Sequence, residues 1–175
     1  LIESKLIIAA AKQAELTVEE EEIAKRVDER IDELVKQYGS REALARDPKA
    51  ALAGTKKEHV PLLYWTAMGW AGAMSLKVND SDLSADQPIV EALARRALEL
   101  EPCWGLGSIH EFFVSWEAGR SSIGGSVDRA RDHYEKALAC AQGRRAFPYL
   151  TYAESISVAK QDKAQFQELM QKALA

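Results

Sequence analysis

With 23 Lys and Arg against 27 Asp and Glu over 175 residues, the chain carries a formal charge of −4. The two signs are interspersed, which leaves no basic stripe for nucleic acid or anionic lipid. Few prolines and abundant Ala, Leu, Glu and Lys indicate an all-α class, and a chain of this length buries about 70% of its unfolded surface without metal or disulfide support. Cys103 and Cys140 make no disulfide framework; they read as packed free thiols, with pairing left open for an oxidising compartment.

In chain order, residues 1–16 are apolar and alanine-rich and read as the tail of a helix; no signal peptide is expected, and a processed start is left open. Thr17 with Glu20 forms a capping box, and Glu19 to Glu22 sit at the positive end of a helix dipole as a solvated start rather than a cation site. Ile23, Val27, Ile31, Leu34, Val35 and Tyr38 recur at helical spacing, predicting one buried stripe that Gly39 ends. Ser40 caps a short helix over REALAR, and Asp47 ahead of Pro48 caps another over PKAALA, stopped at Gly54.

Val60 to Leu76, VPLLYWTAMGWAGAMSL, carries no charge. A helix apolar on every side must be covered on every side. Gly69 and Gly72 each cost about 1 kcal/mol of helix propensity relative to alanine, so close backbone packing is expected there. The stretch reaches the lower length limit of a membrane span, but Pro61, the interior glycines and the flanks KKEH and KVND favour a central buried helix. A turn-rich loop, VNDSDLSADQP, follows; Pro88 then opens the helix IVEALARRALELE, and Pro102 closes it.

Beyond that point the chain repeats. Ala97 with Pro102 matches the end of a tetratricopeptide (TPR) unit, and Ala130, Tyr134 and Ala137 show its small–aromatic–small spacing, which Phe166, Met170 and Ala173 follow more loosely. Ala97 to Ala137 is 40 residues and Ala137 to Ala173 is 36, against about 34 for the standard repeat. The stretch GRSSIGGS reads as an enlarged turn that accounts for the longer interval. The expected fold is therefore one all-α domain over 1–175 built of stacked antiparallel helical hairpins, a degenerate TPR-like solenoid. N-terminal helices fill 1–54, and the central helix and hairpins fill 55–175.

The first helices of the pairs carry the aromatics Trp104, Phe112, Phe113, Trp116, Phe147, Tyr149 and Tyr152. Core is the default for most, with two or three expected on a concave face. Chemistry is scarce. His59, His110 and His133 are dispersed without zinc-ligand spacing, and no phosphate loop or nucleophile elbow is present, so neither metal, cofactor nor catalysis is expected.

In order, LYWTAMGWAGAM, VEALARRALELEP, GLGSIHEFFVSWEAG, GGSVDRARDHYEKAL and AKQDKAQFQELMQKAL resemble the T component (TatT family) of TPR-protein-associated TRAP transporters, over roughly Ala50 to Ala175. The carrying residues are Leu63-Tyr64-Trp65 with Trp70, His110, Gly124-Gly125 before Ala130, and Gln161-Asp162 before Phe166. The resemblance implies a periplasmic accessory protein, lipid-anchored through an N-terminal segment outside this sequence, that pairs with the solute-binding P component, takes a hydrophobic ligand, and forms a trimer. The candidate binding residues are Tyr64, Trp65, Trp104, His110, Phe113 and Trp116. The alternative is a general TPR scaffold for protein partners unrelated to transport. Its grooves ordinarily offer Lys, Arg and Asn clamps, in which the first helices here are poor.

Overall fold

The computed structural model describes residues 25, 29, 32, 35–36, 39–76, 84–122 and 124–174. The Thr17 capping box and most of the Ile23–Tyr38 stripe lie outside the described residues; of the stripe, Val35 is buried. Every regular element among the described residues is helical, and none is long and apolar enough to cross a membrane.

Local signals place the first elements. Ser40 Oγ accepts from the Ala43 N–H (3.1 Å) and starts α1, Arg41–Arg46; Asp47 accepts from the Ala50 N–H (3.0 Å) and starts α2, Pro48–Leu52. Both caps satisfy helix-end donors that would otherwise have no partner. A turn over Lys57–His59 leads into α3, Val60–Leu76, and Pro88 sits in the first turn of α4, Gln87–Leu100. Lys57, just ahead of α3, pairs with Glu101 just past α4 (3.0 Å). Arg41 lies 4.9 Å from the Trp70 ring late in α3 and pairs with Asp86 at the start of α4. These two ties make α3 and α4 antiparallel. Arg96 of α4 holds the end of α2, donating to Thr55 Oγ1 (2.9 Å) and the Thr55 carbonyl (3.0 Å).

The central helix is one-sided. Val60, Leu63, Tyr64, Ala67 and Trp70 are buried at helical spacing in one core with Ile89, Val90, Leu93, Ala94 and Ala97 of α4, and Ala73 on the same face is buried too. Pro61, Trp65, Gly69, Gly72 and Ser75 face outward and are exposed. A Cβ built on Gly69 or Gly72 meets nothing within 4 Å, which corrects the expectation of close packing there. The outward positions are filled by tryptophan, glycine and serine rather than charges, so composition alone made the helix look apolar all round.

α5, Ser108–Gly119, and α6, Val127–Ala141, form a second antiparallel pair. Its register is fixed by Gly107 against Ala137, His110 against His133, and Glu117 against Arg129. Gly107 has φ +96°, and a Cβ there would stand 3.0 Å from the Ala137 carbonyl oxygen; only glycine permits that approach. In the enlarged turn, a Cβ on Gly125 would stand 2.2 Å from the Glu117 carbonyl oxygen. α7, Phe147–Tyr152, continues through one widened π turn, Ala153–Ser157, in which the Val158 N–H reaches the Ala153 carbonyl (3.0 Å). α8, Lys163–Leu174, closes the chain against it. A smaller core of Val114, Ala130, Tyr152, Ala153, Ile156 and Leu169 joins α5 to α8.

The two cysteines are paired: Cys103 and Cys140 form a disulfide with Cα atoms 5.2 Å apart. This corrects the reading of packed free thiols. The α5–α6 register brings residue 103, just ahead of the pair, over the end of α6, a proximity that sequence separation conceals.

Candidate functional site: an aromatic face around the Trp104 turn

The six sequence-derived candidates fall into three groups. Tyr64, Trp65 and Trp104 come together: the Tyr64 ring lies 5.1 Å from Trp65 edge-on and 4.8 Å from Trp104. Tyr64 is buried and Trp104 half-buried, while Trp65 is 62% exposed. Trp116 stands elsewhere, half-buried, stacked on Phe112 (5.4 Å) under the Arg120 guanidinium (4.7 Å). His110 and Phe113 are core. Phe113 is 0% exposed and stacks on His133 at 4.8 Å, so it lies beneath the surface rather than on it.

The histidines that the sequence shows as dispersed meet across α5 and α6. His110 Nδ1 and His133 Nδ1 are 2.8 Å apart, and both side chains are buried. At that distance one Nδ1 donates and the other accepts, which requires the accepting ring to be neutral. Burial, then the neighbouring His133 and Lys136, push His110 down to about 4; burial lowers His133 as well.

Two further residues complete the aromatic face: Arg145, which nothing in the sequence marks, and Phe147, one of the first-helix aromatics not among the six candidates. Arg145, in the loop between α6 and α7, donates from Nη1 to the Gly105 carbonyl (2.6 Å) and Ser108 Oγ (2.8 Å). From Nη2 it donates to Glu111 Oε2 (2.8 Å). Its guanidinium lies 5.5 Å from the ring of Phe147, which is 54% exposed. Trp65, Tyr64 and Trp104 thus touch ring to ring, and Arg145 joins the same turn through the Gly105 carbonyl next to Trp104 while lying beside Phe147 of α7. The disulfide fixes the same turn, because Cys103 immediately precedes Trp104.

Glu111, the carboxylate partner of Arg145, is 8% exposed. Burial pushes its carboxyl up, opposed by Arg145, and Glu111 in turn adds to the effect of burial in raising the Tyr64 phenol. On the other side of α5, Glu91 and Glu117 anchor a network. Arg95 and Arg120 take the two oxygens of Glu91 (2.6 and 3.0 Å), and Arg95 and Arg129 take those of Glu117 (3.6 and 2.8 Å). Glu117 also accepts from the Ser126 N–H (3.2 Å), which ties the glycine turn to α5. No group of three or more His, Cys, Asp or Glu side chains among the described residues converges as a metal site.

An uncharacterized protein of Treponema pallidum (strain Nichols) is 25% identical to this chain over 117 residues, 66% of the chain. The chain spans 36% of that relative's length. The family model described as TRAP transporter T-component matches residues 14–175. That match takes in every helix from α1 to α8, and the chain belongs to the TRAP transporter T-component family.

Proposed function

We propose that this chain serves a TRAP-type transport system as a periplasmic accessory protein. Its aromatic face around Trp104 docks the solute-binding component and receives an apolar ligand from it. The observation that carries the reading is the family match over residues 14–175, a span that contains every residue of that face. Two further observations support it. A disulfide between Cys103 and Cys140 belongs to an oxidising compartment. Large exposed aromatics, here Trp65 and Phe147, are the side chains that dominate interface energies. A TPR-like stacking of the helix pairs, a lipid anchor on an N-terminal segment and a trimeric assembly belong to the same reading.

Binding of the cognate TRAP solute-binding component, measured by calorimetry alongside thermal melts, tests it. Trp65→Ala removes an exposed ring and leaves the melting temperature near that of the parent, while weakening the component's affinity about tenfold or more. Phe113→Ala instead costs about 3–5 kcal/mol of stability. An unmodified chain with no affinity for the component would overturn the docking role.

A further inference from the structure

Three buried or half-buried glutamates line α4 and α5, and their partners differ. Glu91 has an arginine on each oxygen, Arg95 on Oε1 and Arg120 on Oε2. Glu117 has Arg95 on Oε1 and Arg129 on Oε2. Glu111 has Arg145 on Oε2 alone, and its Oε1, buried, accepts from no group among the described residues. A buried carboxylate oxygen without a donor has lost its water and gained nothing in exchange, so this oxygen is left with an unmet demand that those of the other two glutamates do not have.

The surroundings differ too. Glu91 and Glu117 are ringed by guanidinium groups, whereas the Glu111–Arg145 pair acts electrostatically on Tyr64, whose ring packs on Trp65 and Trp104, and Arg145 has Phe147 beside it. Aromatic faces attract cations, and a carboxylate supplies the counter-charge. Arg145 does not meet the demand of Oε1: its Nη groups bond Gly105, Ser108 and Glu111 Oε2, and its buried Nε, though it has no acceptor among the described residues, does not reach Oε1. A carboxylate ligand would instead meet the charge of Glu111.

We propose that Glu111 Oε1 is the anchor of a small-molecule site beneath the Trp65–Tyr64–Trp104 and Phe147 rings, and that the site takes an organic ammonium carried on an apolar body. The ammonium occupies for Glu111 the position that a second arginine occupies for Glu91 and Glu117, and the rings cover the apolar part. Because Oε1 is closed to solvent, entry requires a covering side chain to move aside. The proposal deepens the accessory reading by naming the class of ligand, and its test does not use the solute-binding component.

The test titrates phenethylamine, 2-phenylethanol and phenylacetate, three probes with one ring and different heads, into the 15N-labelled chain at pH 7.5. The expected result is that phenethylamine shifts the indole N–H resonances of Trp65 and Trp104, 2-phenylethanol shifts them more weakly, and phenylacetate leaves them in place. Glu111→Gln, which keeps the shape and removes the charge, weakens phenethylamine by about tenfold or more and 2-phenylethanol by less than about threefold. Should Glu111→Gln fail to fold, Trp65→Ala is the second variant; it weakens phenethylamine severalfold at an unchanged melting temperature. Phenylacetate binding as well as phenethylamine, an unchanged phenethylamine affinity in the variant that folds, or no shift at either indole up to saturating amine would overturn the proposal. A chain that binds the solute-binding component but not phenethylamine loses this proposal and keeps its docking role. The opposite pattern keeps the site and loses the docking role.

Discussion

Removing the disulfide should destabilise the chain through its unfolded state. Cys103 and Cys140 are 37 residues apart. A cross-link closing a loop of that length removes enough chain entropy from the unfolded ensemble to contribute about 4 kcal/mol at 25 °C. The folded state has other means of holding the same join. Gly107 still packs on Ala137, and Arg145 still bonds the Gly105 carbonyl and Ser108. A Cys103→Ser, Cys140→Ser double variant should therefore keep its native fold while melting about 8–16 °C lower, at roughly 2–4 °C per kcal/mol for a domain of this size. Urea unfolding monitored by circular dichroism, with and without reductant, measures the loss directly. The denaturant slope should rise as well, because an unlinked unfolded chain exposes more surface. Two reactive thiols in the unreduced, denatured parent, or a melting temperature indifferent to reductant, would refute the pairing and the oxidising compartment inferred from it.

The open face of α3 makes Gly69→Ala and Gly72→Ala stabilising by up to about 1 kcal/mol each, read as higher urea midpoints, since a Cβ at either position meets no atom. Gly125→Ala should cost about 1–3 kcal/mol, because its Cβ runs into the Glu117 backbone and the turn must shift. The histidine pair makes the fold acid-sensitive. His110 falls from an ordinary 6.5 to about 4, so the unfolded chain binds the extra proton first as pH drops. Stability from this source is full above pH 6.5 and is lost as pH falls from there toward 4, by at most about 3 kcal/mol. Urea midpoints at pH 7.5 and 4.5 should show the loss, and His110→Gln should shrink it.

What could be read from the sequence was local. Ser40, Asp47 and Pro88 declare their helix starts through neighbours one to three residues away, and each start lies where those signals put it. The glycine turn after α5 is legible for the same reason. The one-sidedness of α3 was not, since periodicity is visible only when the outward positions are polar. Long-range pairs were also hidden. His110 and His133 are 23 residues apart and Glu111 and Arg145 are 34 apart, on different elements, with only the α5–α6 register to join them. Of the candidate aromatics, Tyr64, Trp65 and Trp104 do cluster, but hydrophobicity could not sort exposed Trp65 from buried Phe113. Arg145, which organises the face, stood in a loop with no motif to mark it.

The ties around Trp104 bear on why a face of this kind would bind. The turn is joined to the end of α6 by a disulfide, to the α6–α7 loop by Arg145, and to α3 through the Tyr64 ring. Ordering a mobile loop or side chain on binding costs about 0.5–1.5 kcal/mol for each immobilised group, and a turn held from three sides has met most of that cost in folding. Arg145 steadies the turn through Gly105 and Ser108, but that role does not require a buried glutamate as its further partner. A buried Glu–Arg pair is often neutral or less stable than apolar residues of the same volume, and Glu111 leaves one oxygen without a donor among the described residues. Apolar side chains at 111 and 145 would remove the buried charges, at the loss of the Arg145 bonds to Gly105 and Ser108, and would leave nothing polar beside the rings to orient a ligand. The arrangement is what the proposed binding surface, prepared in advance of its ligand, requires.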